Sequence, residues 1–242
     1  MSARTPSLHT SPPSATPCRG AGVVLDQVAL VRGQTQVFEG LSLHLHESRI
    51  GLIGDNGAGK SSLFRLICGL DRPDAGQVKV LDSASVGMMF QNPDEQIIFP
   101  TVEEELGLSL HACGLTRHAA RVQAREWLQA RGLGNWAERA ISSLSQGQRQ
   151  HVCWLALLIA SHGLLLLDEP FSSLDLPGQA QLDQEIAQAS QQVIVSTHVL
   201  QHIRHFERVI WLDRGAVRLD GPGHEVCTAY EADVVRRSLR RA

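Results

Sequence analysis

The chain has 242 residues, of which 43% are hydrophobic and 19% charged, a balance that predicts one α/β domain with room for a small subdomain. Lys plus Arg number 22 against 25 Asp plus Glu, for a net charge of −3. A protein that binds nucleic acid mainly through phosphates carries a basic excess, so no nucleic-acid partner is expected. The longest apolar stretch, residues 152–167, is interrupted by Ser161, His162 and Gly163. It falls short of the roughly 18 residues of a spanning helix, so the chain is not expected to cross a membrane alone, although it can sit on a membrane partner.

In chain order, residues 1–22 are rich in Pro, Ser and Thr and nearly free of large apolar side chains. They read as a disordered tail, because they cannot bury enough surface to offset the entropy of ordering. The tail lacks the apolar core of a signal peptide; two Arg and no acids give it a faint likeness to a transit peptide. Strands are predicted at 23–31, 41–46 and 49–53, then a Gly-rich loop and a helix at 60–68. Further strands follow at 77–81 and 86–90. Residues 102–133 read as mainly helical with charged faces, 146–160 as a helix, and 164–167 as a buried strand running into Asp168. Strands at 193–196 and 209–212 alternate with helices. This alternation predicts a largely parallel sheet covered on both faces. The five cysteines (Cys18, Cys68, Cys113, Cys153 and Cys227) form no CxxC pair, which points to buried or idle thiols in a reducing compartment.

The loop Gly54-Asp55-Asn56-Gly57-Ala58-Gly59-Lys60-Ser61 matches G-x-x-x-x-G-K-[ST] in full. Its glycines let backbone amides close around an anion, and the helix that follows offers its N-terminus to phosphate. Lys60 carries charge to the β- and γ-phosphates, and the Ser61 hydroxyl can ligate Mg²⁺. A chance Gly-rich turn is the alternative; the strand before the loop and the helix after it favour a phosphate site. The run Leu164-Leu165-Leu166-Leu167-Asp168-Glu169 brings two carboxylates to the end of a buried strand. Asp168 then stands where a nucleotide Mg²⁺ sits in such folds, and Glu169 can act as general base on the attacking water.

A third segment, Leu144-Ser145-Gln146-Gly147-Gln148, begins at a serine 23 residues before Asp168. Together, the three motifs resemble the signature of the ATP-binding-cassette ATPases, over about residues 23–225. The resemblance implies a P-loop NTPase fold of this type: a mixed-sheet core, an N-terminal antiparallel β region and a helical subdomain at roughly 92–158. Residues 226–242 then form a C-terminal basic segment. It also implies ATP and Mg²⁺ as ligands. Gln91 corresponds to a glutamine that meets metal, water and membrane partner. Ser173-Leu174-Asp175 matches a loop that contributes to the bound nucleotide, and His198 matches a histidine that contacts the γ-phosphate. Asp55, Asn56, Ala58 and Ser62 join the phosphate-binding set, and Ser61, Gln91 and Asp168 the metal set. In this family two domains meet head to tail, so that Ser145, Gly147 and Gln148 of one copy close the phosphate site of the other. A homodimer is expected, with hydrolysis resting on Glu169, His198 and Gln91.

Two departures from the family pattern stand out. Gln146 replaces a common glycine, with little effect expected because Gly147 is kept. Arg32 occupies the place of the usual aromatic adenine platform: either its guanidinium stacks on the base, or the base is held loosely and nucleotide selectivity is weaker.

The run Phe90-Gln91-Asn92-Pro93-Asp94-Glu95-Gln96 and the segment Pro100-Thr101-Val102-Glu103-Glu104 resemble ATPases of energy-coupling-factor importers. That likeness implies a peripheral membrane protein on the cytoplasmic face of the inner membrane. It would drive uptake with a transmembrane coupling subunit and a small substrate-binding membrane subunit. The coupling subunit would dock near Gln91 and residues 94–105, where the acids at 94, 95 and 103–105 would meet its arginines. Residues 196–200 and 209–213 look most like biotin importer ATPases, with cobalt or nickel importers as the alternative. Arg236, Arg237, Arg240 and Arg241 can meet anionic lipid or simply form a solvated helix end. Readings of another class are a soluble cassette ATPase outside transport, disfavoured by the single cassette and the lack of a long heptad run, and a nucleotide-holding regulator, disfavoured by Glu169 and His198.

Overall fold

The computed structural model describes residues 22–81, 85–112 and 114–239. The tail at 1–21, Cys18, Cys113, Arg240 and Arg241 lie outside the described residues. Strands β1 (Val23–Arg32), β2 (Thr35–Leu45) and β4 (Ala75–Val80) form an antiparallel sheet in the order β2-β1-β4. A second sheet has the order β5-β6-β7-β3-β8-β9. Its members are β3 (Arg49–Ile53), β5 (Val86–Met89), β6 (Leu164–Asp168), β7 (Gln192–Ser196), β8 (Arg208–Asp213) and β9 (Ala216–Gly221). All neighbours in it are parallel except β9, which runs antiparallel along β8 at the edge. This is the P-loop cassette fold expected from the sequence.

Burial on both faces explains the unbroken apolar runs of the central strands. In β6, Leu164 and Leu166 join the core shared with the antiparallel sheet and α1 (Lys60–Ile67), while Leu165 and Leu167 point to the opposite core. The same alternation sends Ile194 of β7 one way and Val193 and Val195 the other. The first half of β2 and all of β9 escape the sequence reading. The reason in β9 is its exposed edge position, where Arg218 and Asp220 replace the apolar alternation that marks an interior strand.

The opposite core is covered by α4 (Gln146–Ile159) and α5 (Leu176–Gln188). Helix α4 is buried on two sides. Cys153, Trp154 and Leu157 pack on the sheet, whereas Val152, Leu155 and Ile159 pack on a third core built with α2 (Val102–Ala112) and α3 (Arg117–Ala130). In α3, Ala120, Ala124 and Leu128 recur every four residues and supply its buried stripe.

Three sequence expectations need correction. The boundary at residue 225 falls inside a helix, because α6 runs from Gly223 to Leu239 and buries Val226 and Cys227 in the main core. The acids at 103–105 do not form a common outward face. Glu103 is 1% exposed and bonded to Arg121 and Arg125 of α3, and Glu105 accepts the amides of Ile98 and Phe99 at 2.9 and 2.8 Å. Burying these charges requires internal partners, so neither is available to a docking subunit. Arg236 and Arg237 are not simply solvated ends of a helix: both pair with Asp233, and Arg237 also pairs with Asp55, while Arg236 keeps 59% of its side chain exposed. Cys68, Cys153 and Cys227 are free thiols, and burial pushes the Cys153 thiol up to about 12.

Leu166 is fully buried and Leu239 is 75% exposed. Leu166→Ala is expected to cost about 2–5 kcal/mol through lost burial and a residual cavity, against less than ~0.5 kcal/mol for Leu239→Ala. Urea unfolding with an unchanged m-value checks the contrast.

Candidate nucleotide site

Four parallel strands carry the site at their carboxyl ends. β3 leads into the phosphate loop, β5 toward Gln91, β6 into Asp168-Glu169 and β7 toward Thr197-His198. A strand-order reversal in an open α/β sheet leaves a crevice at this edge. The cavity there is about 710 Å³ and is lined by Lys60, Ser61, Gln91, Asp168, Glu169 and His198 among others. Asn56, Gly57, Gly59 and Ser62 complete its phosphate-loop wall. Gly54 and Ala58 are buried behind it.

The loop backbone is folded around an open centre. Gly59 ends the loop with φ 105° and precedes α1 without a side-chain cap, so the first amides of that helix stay free for a ligand. A Cβ on Gly59 would stand 2.8 Å from Phe38 Cε1 of β2, whereas one on Gly57, at φ 82°, would meet nothing within 4 Å. Lys60 Nζ donates to the Gly54 carbonyl at 2.7 Å and reaches the Asp55 carbonyl at 3.3 Å. Burial lowers its pKa, countered by Glu169, Asp168 and Asp55.

Glu169 sits at φ 49°, a left-handed conformation that costs a non-glycine residue about 1–3 kcal/mol and clusters at functional sites. Its amide donates to the Ser196 carbonyl at 2.8 Å, which ties the turn to β7. Its Oε2 lies 2.8 Å from His198 Nδ1 and accepts the His198 backbone amide at 3.3 Å. Glu169 is thus held on one side by His198 and open to the cavity on the other. Ser61, Gln91 and Asp168 line that cavity, and their side chains carry a hydroxyl, an amide oxygen and a carboxylate. Their oxygen chemistry fits Mg²⁺, which keeps waters and phosphate oxygens in its shell and needs few protein ligands.

Arg32 lines the cavity, yet its guanidinium is tied to Asp71, which also takes Arg65 Nε at 2.9 Å. This pairing holds the guanidinium plane at the wall. Thr35 and Val37 of β2 stand beside it, and the sequence reading missed both. The only signal for them was their place just past Gly33, where β1 turns into β2.

The remaining predicted residues lie elsewhere in the same chain. Ser145, Gly147, Gln148 and Asp175 line a separate cavity of about 600 Å³ between α4 and α5. Ser145 caps α4 reciprocally with Gln148: its hydroxyl accepts the Gln148 amide at 3.2 Å, and Gln148 Oε1 accepts the Ser145 amide at 3.1 Å. Asp175 caps α5 by accepting the Gly178 amide at 3.0 Å. A Cβ on Gly147 would stand 3.2 Å from the Ser173 carbonyl, so any larger residue would push the two segments apart by a few tenths of an ångström. Gln146 is exposed and lines the rim of the same cavity.

Comparison with known proteins adds the following. Residues 38–172 match the family model described as ABC transporter. The biotin transport ATP-binding protein BioM of Rhodobacter capsulatus is 44% identical over 228 residues, covering 90% of this chain and 97% of that protein. BioM of Rhizobium etli is 37% identical, covering 82% and 92%. Among solved structures, cbiO1 of Clostridium perfringens, described as part of the ABC transporter complex cbiONQ, superposes with a TM-score of 0.72 at 23% identity, covering 89% of this chain and 93% of that one. The ATP-binding cassette MJ0796, in a dimeric post-hydrolysis state with ADP and Pi, gives 0.70 at 25% identity, covering 83% and 98%.

Gly57→Ala and Gly59→Ala both place alanine at positive φ, at a cost of about 1–2 kcal/mol each. The contact with Phe38 makes Gly59→Ala the more destabilising by a further ~1 kcal/mol or more. Denaturant midpoints of the nucleotide-free variants measure the difference.

Proposed function

The chain belongs to the ABC transporter family and is an ABC ATPase, and from that premise we propose that it powers a membrane importer of the energy-coupling-factor type whose cargo is biotin. The observation that carries the reading is the division of the predicted site. Phosphate loop, Asp168, Glu169, Gln91 and His198 share one cavity, while Ser145, Gly147 and Asp175 line another. A second copy, turned head to tail, would bring its Ser145 and Gly147 over the first copy's phosphates, and two equivalent sites would result.

In that arrangement the amides of residues 56–61 and Lys60 bind the β- and γ-phosphates. Lys60 would exchange its bonds to loop carbonyls for phosphate oxygens. Ser61, Gln91 and Asp168 would hold Mg²⁺, which supplies charge neutralisation to the phosphates. Glu169 accepts a proton from the attacking water as its oxygen bonds to the γ-phosphorus and the bond to the β–γ bridging oxygen breaks, releasing ADP and phosphate. His198 fixes the Glu169 carboxylate and is exposed enough to reach the γ-phosphate. Adenine would lie against Arg32 and Val37.

Association with the membrane is by docking; no helix among the described residues is long and apolar enough to cross one. A groove of about 630 Å³ between α2 and α3, lined by Phe99, Leu108, Arg117 and Arg121, would receive a helix of the coupling subunit. Asp94, Glu95 and Glu104 remain as the outward acids near it, with Asp94 paired at 3.2 Å to Arg149 of α4. The small substrate-binding membrane subunit would carry the cargo specificity. Biotin rests on the names of the relatives, because no residue of this chain is expected to touch cargo. Cobalt or nickel is the second reading, drawn from the importer group alone.

Glu169→Gln is expected to lower kcat by roughly 10²–10³-fold while nucleotide binding persists. Turnover at the normal rate would remove Glu169 from the mechanism. Mild-detergent purification of the tagged protein from its host is expected to bring down a multi-helix coupling subunit and a small membrane protein that binds biotin. Recovery of soluble partners alone would overturn the transport role and leave the ATPase assignment standing.

A further inference from the structure

The C-terminal helix α6 closes on the phosphate loop. The Tyr230 hydroxyl donates to Asp55 Oδ1 at 2.9 Å. The Arg237 guanidinium takes the same carboxylate in a fork, with Nη1 on Oδ2 and Nη2 3.2 Å from Oδ1. Residues seven apart on a helix lie on one face, so a single face of α6 presents both donors.

Both donors are themselves held in place. The Tyr230 ring stands edge-on to Trp211 of β8, with centroids 5.1 Å apart. Arg237 Nε lies 2.8 Å from Asp233 Oδ2, and Arg218 Nη2 of β9 lies 2.8 Å from Asp233 Oδ1. Arg218 in turn covers the Trp211 ring at 4.2 Å. Asp55 therefore meets a braced pair rather than two loose surface side chains.

The chemistry of the loop shows why such a pair matters. Asp55 is the second residue of a loop built to receive a polyanion. A free carboxylate there repels phosphate and offsets the charge of Lys60, which lies close enough to bond the Asp55 carbonyl. Hydrogen bonding from Arg237 and Tyr230 holds the Asp55 carboxyl below the usual carboxylate range, as an ion pair whose charges cancel.

We propose that Arg237 and Tyr230 are positioning residues of the nucleotide site: they neutralise the Asp55 carboxylate, so that the phosphate loop presents net positive charge to the phosphates. The inference rests on the reading of this loop as the nucleotide site. It makes α6, which the family signature motifs do not include, an electrostatic part of that site.

The sign of two substitutions separates this role from a mechanical strap. Arg237→Gln leaves the carboxylate uncompensated and weakens binding. Asp55→Asn leaves the guanidinium uncompensated and tightens it. If α6 merely braced the loop, either change would break the same brace and both would weaken binding. The measurement is calorimetric titration of the full-length protein with Mg-ATP and with AMP. Arg237→Gln is expected to raise the Kd for ATP roughly fivefold and Asp55→Asn to lower it comparably, as a single unit charge near a phosphate would. The double variant returns toward wild type, Tyr230→Phe weakens binding less than Arg237→Gln does, and every shift shrinks with AMP. Equal signs for the two single variants, or an Arg237→Gln protein that binds as wild type does, would overturn the proposal; because Asp55→Asn is predicted to gain affinity, loss of folding in one variant leaves that prediction standing. A wild-type chain that fails to bind Mg-ATP at all would instead overturn the nucleotide reading, and this inference with it.

Discussion

A parallel sheet buried on both faces has its strand ends as its free, polar boundary, and this constraint organises the whole molecule. β3, β6 and β7 lie side by side with apolar residues pointing both ways, so their polar side chains are confined to the strand ends, at Arg49 and Gln192 on one edge and at Asp168, Ser196 and the segments that follow on the other. Because the strands are parallel, those last residues share an edge. The phosphate loop, the two carboxylates and His198 meet in one cavity for that reason, although they are spread over more than half of the chain.

Gathering charged groups at this edge is costly, and the local bonding shows how the cost is met. Lys60 is half-buried and rests on two loop carbonyls. Glu169 takes up a strained backbone, tied at its amide to Ser196 and at its carboxylate to His198. The Lys60 bonds are ones an incoming phosphate can replace, because it offers the ammonium a charged acceptor in place of neutral carbonyls. Asp55 is held differently: its carboxylate is bonded by Tyr230 and Arg237 of α6 rather than by groups of the loop itself.

Helix α4 gives the second cavity its position. It packs on the sheet through Trp154 and on α2 and α3 through Leu155, so its N-terminus is fixed relative to both layers. Ser145 and Gln148 close that N-terminus, and Gly147 lets the Ser173 carbonyl come close. Asp94 and Arg149 join the same helix to the segment after Gln91.

The sequence by itself determined the cassette fold, the phosphate loop and the carboxylates after β6. Each depends on residues adjacent in the chain, where backbone sterics and burial leave few alternatives. Leu164 to Glu169 states a buried strand and its polar end in six consecutive residues. The helices at 102–133 and 146–160 were legible for a similar reason, since their apolar spacing repeats within a few turns. Only the tertiary structure decided that Glu103 and Glu105 face inward, that Arg32 is held by Asp71, and that α6 returns to Asp55. An acid in a helix's first turn suits the helix dipole whether or not an arginine of a neighbouring helix covers it. The Arg237–Asp55 pair joins residues 182 positions apart, and no periodicity or motif connects them. Such pairings are set by how layers stack, and stacking is a property of the folded chain rather than of any segment in it.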